Sequence, residues 1–246
     1  MKKPLLSTTV RTGVIAGALA CTTIIGLAAT PAFADTSSSV KSGRTLAQIQ
    51  VDGAAKTAQR ITSLTTGIST ITANTHLSSG DKTTILGTLN SDLSGMKSLQ
   101  SKIAADTTKA DAAADYTTIF TTYRVYAVAL PQAHYAAAAD NLDSAVLPRL
   151  TDVQSRLAAL LAGKDASKST PALQASLADM STQITDASGS LSGLSAAALA
   201  VTPAQYNSNH DVLKDLRQKL TSARTAVKQA RQDAKTVVAA LRPAKH

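Results

Sequence analysis

The sequence predicts an all-α protein, an elongated bundle of long helices with coiled-coil-like packing and a break near residues 122–131. Three observations predict it. Apolar residues recur at alternating spacings of three and four along most of the 246-residue chain, the signature of helices that pack side by side. Cap-like residues stand where such runs begin: Ser78 three before Asp81, and the pairs Thr170-Pro171 and Thr202-Pro203. No period-two alternation is sustained, and the single stretch with strand character is Arg124–Leu130.

Taken in order, residues 1–34 read as a signal peptide. Met1-Lys2-Lys3 and Arg11 form a positive start, Val14 to Thr30 is mostly apolar, and Ala32-Phe33-Ala34 is a small-x-small cleavage site. An uncleaved anchor is disfavoured by Thr22, Thr23 and the glycines 13, 17 and 26, and a lipid on Cys21 by the poor match of Ala18-Leu19-Ala20 to a lipobox. Cleavage after Ala34 gives a secreted protein beginning at Asp35, removes the only cysteine, and leaves neither disulfide nor thiolate. Residues 35–43 are a polar tail expected to be disordered. Residues 44–246 then form one helical-bundle domain, long enough to hold itself together by burial.

Within that domain the predicted seams are explicit. The first helix runs through Val51, Ala54, Ala58, Ile61 and Ile68, the second through Leu86, Leu89, Leu93, Met96 and Ile103. A third follows Leu142, Val146, Leu150, Val153, Leu157 and Leu160, and a fourth Leu173, Leu177, Met180, Ile184, Ala187, Leu191 and Leu194. The last is the most regular: Leu213, Leu216, Leu220, Ala223, Val227, Ala230, Ala234, Val237 and Leu241. Seams so rich in Ala and Thr bury little per contact, so the bundle depends on length and tertiary packing.

The composition limits the chemistry. All sixteen acidic residues are Asp, there is no Trp, and the histidines stand apart at 76, 134, 210 and 246. The zinc motif His-Glu-x-x-His, an EF-hand loop, a nucleophile elbow, a phosphate loop and a dinucleotide fingerprint are all missing. The sequence therefore offers no catalytic residue, no metal ligand set and no cofactor site, and predicts a non-enzymatic protein.

Two candidate sites remain. Beyond the leader the chain has six aromatic residues, and five lie within twenty positions: Tyr116, Phe120, Tyr123, Tyr126 and Tyr135, with Arg124 among them. Pro131 biases Leu130 away from helical geometry and starts a helix, so the chain should break in 122–130. Large rings at a helix break either lock neighbouring helices together, with Arg124 paired to Asp140 or stacked on a tyrosine, or line a small-molecule cleft. The run Asp106-Thr107, Tyr123-Arg124-Val125-Tyr126, Pro131-Gln132 and Ala139-Asp140 resembles uncharacterised secreted all-helical proteins of actinobacteria. The resemblance, centred on residues 106–140, implies an exported helical protein and supplies no active site.

The second candidate is a charge pattern. Residues 35–210 have thirteen Lys and Arg against thirteen Asp, whereas residues 211–246 have nine against three. With Leu213 as heptad position a, Lys214, Arg217, Arg224, Lys228, Arg231, Lys235 and Arg242 occupy the adjacent positions b and e. Such a stripe is either a solvated face or a contact for an anionic cell-wall polymer or membrane surface. Nucleic acid is disfavoured by compartment and by the lack of a recognition motif. The favoured expectation is a secreted or envelope-associated binding or spacer protein, and the alternative a carrier with an aromatic cleft.

Overall fold

The computed structural model describes residues 43–242. The predicted leader and cleavage site, residues 35–42 of the predicted polar tail and the last four residues lie outside them. The helices are α1 (Leu46–Ala73), α2 (Ser79–Ala105), α3 (Lys109–Thr118), α4 (Leu130–Asn141) and α5 (Leu147–Ala162). They continue with α6 (Pro171–Leu191), α7 (Leu194–Leu199), α8 (Pro203–Ser208) and α9 (Lys214–Leu241). No strand occurs among the described residues. The protein is all-α, built of long helices packed against one another.

The starts of α1, α2, α3, α6 and α8 follow their capping side chains. Ser78 accepts from the Asp81 amide and Thr170 from that of Leu173. Thr45 with Gln48 and Thr202 with Gln205 form reciprocal capping boxes. Several helix ends instead borrow donors from a neighbour, which satisfies carbonyls the helix itself leaves open. Lys82 donates to the Thr72 and Asn74 carbonyls at the end of α1, and Gln50 to those of Ala104 and Asp106 at the end of α2. Lys168 donates to Leu241 at the end of α9.

Burial divides into two main cores that share α4. One joins α1, α2 and α3 to Val125, Ala129, Ala133 and Ala136. The other joins Ala138, Ala139 and Leu142 to α5, α6 and α9. A smaller cluster of Val128, Ala198, Val201, Leu213 and Leu216 fills the space between the chain break and the start of α9.

The regular seams fall where their spacing predicts. In α9 Leu216, Leu220, Ala223, Val227, Ala230, Ala234 and Val237 are buried, and in α6 Leu173, Leu177, Met180, Ala187 and Leu191. The first seam is different. Ala54 and Ala58 are exposed and Val51 is 69% exposed. The buried stripe of α1 is Ile49, Gly53, Thr57, Arg60, Leu64, Gly67 and Ile71. Close approach explains it: a Cβ at Gly53 would stand 2.8 Å from Ile103 Cγ2, and one at Gly67 3.1 Å from Leu130 Cδ2. The Thr57 hydroxyl is satisfied by the Gly53 carbonyl of its own helix at 2.8 Å, so it enters the seam without an open hydrogen bond.

The predicted strand-like stretch is helical, and its break has two parts. Widened π turns occupy Ile119–Tyr123, Val125–Ala129 and Leu142–Val146. Two of them contain the carbonyl four residues before a proline, that of Ala127 before Pro131 and that of Ser144 before Pro148. A proline ring collides with that carbonyl and offers it no N–H, so the turn opens instead of ending. Leu130 accordingly stays helical, at φ −71° and ψ −42°. The actual reversal is at Arg124, which takes up the left-handed conformation at φ 46°, ψ 40°.

Close packing at Gly53 gives a paired test. Gly53→Ala should destabilise by about 1–2 kcal/mol, because overpacking against Ile103 outweighs the better helix propensity. Gly87, with open space around its Cβ position, should gain up to about 1 kcal/mol as Gly87→Ala. Urea melts of the two variants measure both.

Candidate functional site

The aromatic segment disperses over several contacts. Tyr116, 1% exposed, and Phe120 pack in the first core with ring centroids 5.4 Å apart. Arg60 of α1, 2% exposed, places its guanidinium 4.7 Å from the centre of the Phe120 ring and 4.8 Å from that of Tyr126. The Tyr126 hydroxyl lies 3.0 Å from Ser63 Oγ. Tyr123 covers Gly95 so closely that a Cβ there would be 2.4 Å from its ring. Tyr135 packs against the second core and lies edge-on to His134 at 5.9 Å. The shallow depression lined by Arg44, Ala47, Gln48, Val51 and Asp52 includes none of these rings.

Arg124 does stack on a tyrosine, though one outside the predicted cluster. Its guanidinium lies 5.2 Å from the centre of the Tyr206 ring, and its Nε donates to Asn207 Oδ1 at 2.7 Å. Asn207 returns a hydrogen bond from Nδ2 to the Thr121 carbonyl at 2.8 Å. The expected pairing with Asp140 is not made; Asp140 accepts from the Ser78 amide at the head of α2. Gln132 donates to the Val201 carbonyl just before α8. Arg124, Asn207 and Gln132 together fasten the α8 region over the chain break.

Sequence patterning missed Arg60 and Asn207. Arg60 sits on the buried stripe of α1 that apolar counting could not trace. Asn207 belongs to a six-residue helix whose only visible signal is its Thr-Pro cap.

The basic stripe divides into two rows. Lys214, Arg217, Lys228, Lys235 and Arg242 are exposed, while Arg224 and Arg231 are only partly so. Among the described residues none of the seven makes an ion pair. Arg224 leans on α4, with Nη2 3.4 Å from His134 Nε2 and its Nε buried without a hydrogen-bond partner. Burial pulls the Arg224 guanidinium below its ordinary pKa. The exposed row is therefore carried mainly on position b. At position e, Arg224 and Arg231 are drawn toward the packing while Arg217 stays exposed.

Among the described residues no three His, Cys, Asp or Glu side chains gather to hold a metal ion, and no helix is long and apolar enough to cross a membrane. Searches against protein families, curated proteins and solved structures find no match to this chain.

The geometry generates two predictions. Tyr116→Ala should cost about 3–5 kcal/mol, the range for deleting a buried aromatic. Tyr126→Phe, which removes only the hydroxyl facing Ser63, should cost under about 1.5 kcal/mol; denaturant unfolding separates the two.

His134 is held below its ordinary 6.5 first by burial and then by Arg224. The unfolded chain therefore takes up a proton at this residue before the folded chain does. Stability contributed at His134 should fall as the pH drops below 6.5, until the folded form also titrates. Asp92, pushed up to about 6 by burial, acts in the opposite sense. The decisive measurement is thus the difference in thermal stability between wild type and His134→Gln at neutral and mildly acid pH, which should favour the variant increasingly on acidification.

Proposed function

We propose that this chain is an exported, non-enzymatic helical protein of the bacterial envelope that works by binding or spacing, and that it contacts anionic envelope material through α9. The observation that carries this reading is the exposed row Lys214, Arg217, Lys228, Lys235 and Arg242, unopposed by any ion pair among the described residues. A body with equal numbers of Asp and of Lys plus Arg over residues 35–210 leaves the field of that row uncancelled. The leader at 1–34 and the resemblance centred on 106–140 argue for export. The dispersed aromatic side chains act as interior anchors in this reading, and no observation favours a carrier.

The test uses residues 35–246 with anionic bacterial wall preparations and with vesicles containing phosphatidylglycerol. At low salt the protein should co-sediment with at least one of them. Binding should fall steeply as salt passes about 0.15 M, where the screening length is roughly 8 Å. Joint replacement of Lys214, Arg217, Lys228 and Lys235 by Gln should abolish it without loss of helicity, since all four are exposed. Lys219→Gln, also exposed but on position g, should change it little. Equal sedimentation of wild type and the fourfold variant would overturn the proposal.

A further inference from the structure

We infer that the partner of α9 is a linear polyanion lying along the helix axis, and not a lipid bilayer. This rests on the reading of α9 as the anionic contact and specifies what occupies it. The helix runs for 28 residues, about 42 Å at 1.5 Å per residue. Lys228, Lys235 and Arg242 are each seven residues apart, so they recur about every 10.5 Å on nearly one azimuth. Arg217 and Lys214 extend the same side toward the helix start. The result is a narrow rail of cations, one residue wide over most of its length.

Two features set that rail against a membrane. A helix that lies in a bilayer interface buries an apolar face beside its cations. In α9 the large apolar residues are already committed: Leu216, Leu220, Val227 and Val237 are buried in the bundle, and Val238 and Leu241 pack against the second core. The exposed positions between the cations are polar or small: Thr221, Ser222, Thr225, Gln229, Gln232, Thr236, Ala239 and Ala240. Among the described residues Val51 of α1 is the exposed large hydrophobic side chain, and it is on another helix.

The second feature is the width of the charge. α6, packed along α9, contains no Lys or Arg and exposes Asp179 and Asp186, while on α5, also packed on α9, the exposed Arg156 is paired with Asp152 and Arg149 is the one further exposed arginine. A plane of anionic headgroups extends well beyond one helix and is opposed wherever it meets such carboxylates. A single anionic strand confined to α9 is not. Several weak cation contacts spaced along one chain also reinforce each other through local concentration, which rewards a long polymer over isolated anions.

Fluorescence anisotropy of labelled 35–246 can compare three probes at about 0.05 M salt: long-chain inorganic polyphosphate, tripolyphosphate, and 30% phosphatidylglycerol vesicles, all matched in total anionic charge. The inference expects polyphosphate to bind at least about tenfold more tightly per phosphate than tripolyphosphate, and more tightly than the vesicles. Lys228→Gln with Lys235→Gln should weaken the polyphosphate complex and reduce its log–log salt slope by roughly 1.5, with circular dichroism unchanged. Vesicle binding equal to or tighter than polyphosphate would overturn the linear partner while leaving an anionic surface contact standing. Equal affinity per phosphate for the long and short chains would overturn the rail. Binding to none of the three would remove both the inference and the reading beneath it.

Discussion

The fold depends on one backbone reversal at a residue that is not glycine. A left-handed conformation costs an ordinary side chain roughly 1–2 kcal/mol, and at Arg124 it is held from both ends. The Arg124 carbonyl accepts from the amides of Ala127, Val128 and Ala129 at 3.1, 2.7 and 3.3 Å. The side chain, 5% exposed, reaches the other way to Asn207 and Tyr206. The first core lies largely before this residue in the chain and the second after it. If Arg124 relaxed to a right-handed helix, α3 and α4 would tend toward one continuous rod and the shared role of α4 would be lost.

The two prolines that follow widened turns complete the same device. Pro131 in the first turn of α4 and Pro148 in the first turn of α5 each act on a carbonyl inside the preceding π turn. The chain thus redirects α4 with local steric conflicts and without loops, so that its Ala-rich surface can serve one core with Ala133 and Ala136 and the other with Ala138 and Ala139. Short side chains are what allow one helix to meet two bundles at close range. The rings of Tyr116, Phe120 and Tyr123 then fill what alanine cannot.

Legibility in the sequence follows the same physics. α6 and α9 were readable because their buried positions are Leu, Met, Val and Ala at heptad spacing, and little else competes. The caps Ser78, Thr170 and Thr202 were readable because each bonds an amide three residues on. In α1 hydrophobicity does not mark the seam. Gly53 and Gly67 lie there for lack of bulk, Thr57 because its hydroxyl is answered within the helix, and Arg60 because two aromatic faces cover its charge. Pro131 marks the right segment for the break but not its cause: Leu130 tolerates helical geometry, and the turn happens six residues earlier. The division of the basic stripe could not be seen from heptad letters, because α4 reaches position e at Arg224.

Hydroxyl groups along the helix surfaces have a consequence for how this molecule responds to its surroundings. Thr62, Ser63, Thr65, Thr66 and Thr70 each donate to the carbonyl four residues before, and Thr83, Thr84 and Thr88 do the same on α2. Beside ion pairs such as Arg44–Asp52 and Arg156–Asp152, these surfaces carry internal hydrogen bonds that electrolytes barely touch. On the proposed contact, ionic strength would act on attachment and architecture separately: a rise in salt would loosen what α9 holds while the bundle stays assembled, so that one folded molecule would be released and recaptured as its surroundings change.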